Sequence, residues 1–211
     1  MSIRTMIESL DLTRVDSGQV DLDAPQWFAT ELLDSMTGQI GFAEAELPPN
    51  EEIGLRLISN AVLTCKMISP SHVPEWAESF DLSSAISSDL IIMPESDGPG
   101  SMSWLRLGNW ISILMPPVTD KREIGSVVQM LNDLEERYHN MNFWIIDMAP
   151  VTAVSSGLAA HLIGFQQTLA AQDKELALLW VKRESISETL FPAMQKHFHL
   201  ANKGAFYLSK R

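Results

Sequence analysis

Apolar residues in the second half of the chain alternate between strand-like runs and helical stripes, and that alternation predicts the fold. Trp104–Leu107 and Trp110–Met115 flank Gly108-Asn109, a pair suited to a tight hairpin turn, so they read as two strands. From Asp120 to Tyr138 the apolar residues Ile124, Val127, Val128, Leu131, Leu134 and Tyr138 recur at helical spacing. Asn142–Met148 is almost continuously apolar, as expected of a strand buried on both faces. Ser155 to about Gln172 is helical, with Leu158, Leu162, Phe165 and Leu169 inward, and Leu176–Val181 is another buried strand. Ser185–Phe198 has helical spacing through Ile186, Leu190, Phe191 and Met194, with a kink or break at Pro192. Ala205–Leu208 reads as a final edge strand. The order ββαβαβαβ needs helices as crossovers and therefore parallel neighbours in a mixed sheet.

The first half is patterned differently. Residues 1–22 are polar and aperiodic, and read as a flexible tail. APQWFATELLDSMTGQI places Phe28, Leu32, Leu33 and Met36 on one helical face, with Pro25 in the first turn. A second helix is predicted near residues 51–68, where Ile53, Leu57, Ile58, Val62, Leu63 and Met67 form an apolar stripe. A short strand is expected at Asp89–Met93, ahead of the Gly-, Pro- and Ser-rich run Glu95–Ser103. The expected organisation is an acidic, mainly helical module over residues 1–99 and an α/β domain over 100–211.

Charge sharpens that division. Residues 1–100 hold 17 Asp and Glu against 4 Lys and Arg, while the remainder is nearly balanced, within an overall charge of −12. An acidic front half repels a polyanion, which argues against direct nucleic-acid binding, and offers a face for a basic partner. No stretch reaches the roughly 18–20 uninterrupted apolar residues a membrane span requires. The N-terminus lacks the apolar run and cleavage site of a signal peptide, the pattern of a cytoplasmic chain. Cys65 is the only cysteine, so one chain has neither a disulfide nor a cysteine metal cluster; it reads as a small buried hydrophobe. The six tryptophans, Trp27, Trp76, Trp104, Trp110, Trp144 and Trp180, read as packing residues.

The candidate chemistry lies in FWIIDMAPVTAVSSGL, residues Phe143 to Leu158. An apolar strand ends in Asp147, a short loop carries Thr152, and Ser155 and Ser156 open a helix. Open α/β folds place working groups at strand carboxyl ends, and the free N–H groups of a helix start favour negative charge. A hydroxyl there suits phosphorylation, anion contact or simple helix capping. Asp147 is suited to bracing the loop or to touching a partner. Catalysis is not supported: Ser155 lacks a Gly-x-Ser-x-Gly elbow, and His161, six residues on, points away from it. His139, His197 and His199 have no carboxylate pattern to complete a metal site. No phosphate-binding glycine motif is present.

Taken in order, the strand ending in Asp147, then Val151-Thr152, then Ser155-Ser156-Gly157-Leu158 opening a helix, resembles the STAS domain of anti-sigma-factor antagonists and sulfate transporters. The strand Leu176–Val181 and the pair Leu190-Phe191 echo later family features, and the likeness covers about residues 101–211. The resemblance implies a STAS-like mixed sheet and a non-enzymatic regulator that needs no cofactor or metal. It implies partner switching with an anti-sigma factor or serine-kinase-type regulator, controlled by phosphorylation at Ser155, with Ser156, Asp147 and Thr152 as further contact residues. The family's acidic residue ahead of that serine falls on Val154, and the stretch from Asp147 to Gly157 is one residue shorter than usual. The alternative is a STAS-type accessory or small-ligand or nucleotide-binding subunit that is not phosphorylated. The helical N-terminal module either pairs two copies in a homo-oligomer or packs on its own α/β domain.

Overall fold

Strands Trp110–Leu114 (β3), Phe143–Asp147 (β4) and Glu175–Leu179 (β5) are joined through helices Lys121–Arg137 (α2) and Ser156–Ala170 (α3), and they run parallel as crossover connections require. The computed structural model describes residues 49–68, 91–92, 102–118, 121–201 and 206–209. The chain enters the described part as helix Pro49–Ile68 (α1), then the two-residue strand Ile91–Ile92 (β1) and Ser103–Leu107 (β2). Beyond β5 come a 3-10 turn at Arg183–Ser185, helix Phe191–His197 (α4), and strands Phe198–Ala201 (β6) and Phe206–Ser209 (β7). Together they form a mixed α/β fold around one sheet of order β1-β2-β3-β4-β5-β7-β6. The β2–β3 hairpin turns at Gly108, whose φ of 59° suits the first central position of a two-residue loop, and it pairs Leu107 with Trp110.

Side-chain alternation along the strands divides the core in two. Trp104, Ile111, Ile113, Trp144, Ile146, Leu176 and Leu178 point to one face, where Val127, Leu131 and Leu134 of α2 and Leu158, Leu162, Phe165 and Leu169 of α3 cover them. Trp144 and Phe165 meet edge to face at 5.4 Å there. Ser112, Ile145, Asp147, Ala177 and Leu179 point the other way. That second face is covered by α1, which lies across β2, β3 and β4. Leu57, Ile58, Ala61, Val62, Leu63 and Cys65 of α1 are all buried. β4 is thus buried from both sides, as its unbroken apolar run implies. Burial pushes the Cys65 thiol pKa up, which keeps it protonated and inert.

Two details at the C-terminal end correct the expected elements. Pro192 does not kink a long helix: it sits in the first turn of the seven-residue α4, where its missing N–H costs nothing. Residues 198–201 leave the helix to form β6, because Phe198 packs against Tyr207 with ring centroids 6.1 Å apart, both buried. Consequently β7 lies between β5 and β6 and is not the edge. The helix expected around Phe28–Met36, the tail 1–22, and Trp27 and Trp76 lie outside the described residues. Among the described residues, no helix is long and apolar enough to cross a membrane.

Candidate functional site

The loop from Met148 to Ser155 leaves the carboxyl end of β4 and is fastened at both ends. At its start the Asp147 carboxylate accepts the Ala149 N–H at 3.0 Å. Val151 N–H then closes a turn on the Met148 carbonyl at 2.9 Å. At its end Val154 N–H donates to the Ser185 carbonyl at 2.8 Å, and Val154 forms a parallel bridge with Ile186. The side chains of Val151 and Val154 are buried in the α2–α3 core, whereas Thr152, Ser155 and Ser156 are exposed. Apolar anchors therefore hold the loop down while its hydroxyls face outward.

Ser155 caps α3. Its backbone is extended, with φ −70° and ψ 162°, and its Oγ accepts the Leu158 N–H at 3.2 Å. The helix starts without an acidic side chain in its first turn, so its partial positive charge is not offset within the helix. Ser156 is the first residue of that turn. Among the described residues, a Cβ on Gly157 would meet Ser155 Oγ alone, at 3.8 Å, an ordinary contact. Nothing among the described residues demands a glycine there, and its absence of side chain leaves the surface beside Ser155 low.

Asp147 lies beneath this surface and not on it. It is 0% exposed. Arg56 of α1 grips its carboxylate in bidentate fashion, Nε donating to Oδ2 at 2.6 Å and Nη2 to Oδ1 at 2.8 Å. Asn60 Nδ2 donates to Oδ2 at 2.8 Å. Of the two roles expected for Asp147, bracing the loop is the one this geometry supports. Asn60 also reaches sideways: its Oδ1 accepts the indole N–H of Trp180 at 2.8 Å. Trp180 immediately follows β5 and holds a φ of 59°, a left-handed conformation that bulky residues rarely adopt.

Arg56, Asn60 and Trp180 were not among the residues the motif singled out. A signal for two of them exists in the sequence. Arg56, Asn60 and Thr64 stand at i, i+4 and i+8 within the mostly apolar run GLRLISNAVLTCKMI, which places three polar side chains along one helix face. Thr64 is spent locally, its hydroxyl donating to the Asn60 carbonyl at 2.7 Å.

The described histidines do not converge. His161 lies on α3, its ring stacked near Phe165 at 6.3 Å in a groove of about 590 Å³ shared with Glu135 and Glu136 of α2. Burial lowers the His161 pKa. His197 ends α4, and His199 is exposed on β6. Among the described residues, no group of three His, Cys, Asp or Glu is placed to hold a metal ion. Set against known proteins, the chain matches no family model, no curated protein and no solved structure.

Proposed function

We propose that this chain is a non-enzymatic, STAS-type regulator that works by protein–protein binding at Ser155 and the start of α3. A partner, an anti-sigma factor or serine-kinase-type regulator, docks while Ser155 carries a free hydroxyl and leaves when Ser155 carries phosphate. The observation that carries this reading is the exposed Ser155 hydroxyl at the start of α3, a first turn without an acidic side chain, on a loop fastened at both ends. A phosphate adds about −1.5 to −2 charge. The helix start tolerates that charge, whereas a partner surface shaped for a neutral hydroxyl does not. Ser156 and Thr152 extend the same exposed surface, and Asp147 braces it from below.

Val154 favours a second reading. It stands where the resemblance expects an acidic residue ahead of the serine, and it is buried in the core at 5% exposure. A kinase that reads an acidic neighbour finds none there. In this reading the surface binds its partner, or a small ligand, without being phosphorylated.

One experiment separates the two. The wild-type chain and Ser155→Asp serve as baits in a lysate of the source cell, with partners identified and the native chain weighed by intact mass. A kinase-like partner held by wild type and lost by Ser155→Asp, with one added phosphate on the native chain, is the expected result. Equal capture by both forms and no phosphate sinks the switch and leaves an unphosphorylated interaction module.

A further inference from the structure

Both fastenings of the Ser155 loop trace back to α1. The start of the loop is held by the Asp147 carboxylate, and that carboxylate is itself held by Arg56 and Asn60. The end of the loop is held by Ser185 and Ile186, which follow the exit of β5, and at that exit Asn60 holds the Trp180 indole. Asn60 is 1% exposed and uses both ends of its amide, the nitrogen toward β4 and the oxygen toward β5. A hydrophobic residue at either position would bury the same face of α1 but would tie neither strand exit. The left-handed backbone at Trp180 persists only where its surroundings hold it, and the Asn60 bond is part of that hold.

We infer that Arg56 and Asn60 are positioning residues for the Ser155 loop, acting through Asp147 and Trp180, so that α1 sets the shape of the surface on which Ser155 stands. The inference rests on the reading of that loop as the contact surface. It makes α1 a control element: the loop keeps its form only while α1 is seated on the sheet, although α1 and Asp147 are about ninety residues apart in the chain, Arg56 and Asp147 being separated by 91. A partner or modification that shifts α1 is read at Ser155 without touching it.

The test is residue-resolved amide hydrogen exchange on the full chain, comparing wild type with Arg56→Gln, Asn60→Ala and Leu131→Ala. Leu131 is buried in the core on the opposite sheet face, so its variant controls for a general loss of stability. Arg56→Gln and Asn60→Ala are expected to raise exchange at Ala149, Val151 and Val154 by about tenfold more than at α2 amides. Arg56→Lys, which keeps a cationic donor, is expected to restore most of the protection. The positioning role is overturned if the loop amides keep wild-type rates, or if they speed up only in step with α2, as in Leu131→Ala. Should Arg56→Gln fail to fold, Asn60→Ala carries the same comparison, with Arg56→Lys as the protected reference. Unchanged loop exchange defeats this inference and leaves partner capture untouched. Absence of partner capture defeats the proposed function and leaves the exchange result standing.

Discussion

Replacing Arg56 with Met removes the guanidinium while keeping most of the stem that packs against the sheet. Asp147 remains, 0% exposed, with its charge answered among the described residues by the neutral donors Asn60 Nδ2 at 2.8 Å and Ala149 N–H at 3.0 Å. Removing one partner of a buried ion pair costs about 3–5 kcal/mol, because the other charge is stranded. Arg56 is 20% exposed, so water reaches part of the site and the lower end applies, roughly 3 kcal/mol. Asp147→Asn strands less, since Arg56 can turn toward solvent, and about 2 kcal/mol is expected. The double variant leaves no stranded charge and should cost no more than Arg56→Met alone, which makes the coupling at least about 2 kcal/mol. Urea unfolding followed by tryptophan fluorescence and far-UV circular dichroism reads all three losses, with coincident curves required before free energies are compared. A loss under about 1 kcal/mol for Arg56→Met, additive with Asp147→Asn, would refute the reasoning: the carboxylate would then be neither sealed nor dependent on α1.

Two further outcomes follow from the same geometry. Gly157→Ala should stabilise the fold by about 0.5–1 kcal/mol, as alanine is the better helix former and its methyl meets only Ser155 Oγ, yet it should weaken partner capture by raising the surface. Unfolding midpoints and pull-down yields moving together in either direction would contradict this. His161 has a folded pKa below its unfolded value of about 6.5, so the folded state binds fewer protons than the unfolded one between the two values. Stability carried by His161 is therefore complete above about pH 6.5 and is lost as pH falls through the lowered pKa. Against His161→Phe, in which the remaining titrating groups are shared, wild-type stability measured by urea midpoints should fall between pH 7 and pH 5. A constant difference across that range would refute the shift.

The elements between Trp104 and Leu179 were legible because each buries a face wide enough to set a period. β4 and β5 are apolar on both faces and read as runs, while α2 and α3 are apolar on one face and read as stripes. The C-terminal elements were less legible for the same reason in reverse. Met194 is the one buried residue of α4, so a seven-residue helix and the strand after it merge into what looks like a single helical period. Phe198 belongs to β6 because of Tyr207, and no local pattern contains that partner.

The site divides along a similar line. Ser155 was legible because capping is local: the hydroxyl and the N–H it accepts are three residues apart. The bracing of Asp147 was not, because its partners lie 91 and 87 residues away on α1. Yet a polar residue inside an apolar stripe carries information about a distant group, since burying it unpaired costs on the order of 1–3 kcal/mol and more if it is charged. Arg56 and Asn60 on the buried face of α1 imply that an acceptor lies on the surface α1 covers. The acidic residue in the apolar β4 is Asp147, and it stands at the end of that strand. The two anomalies answer one another, and their meeting point is the residue from which the Ser155 loop departs. Apolar packing seats this helix on the sheet, and the Arg56–Asp147 pair adds a directional tie at the start of the candidate contact surface.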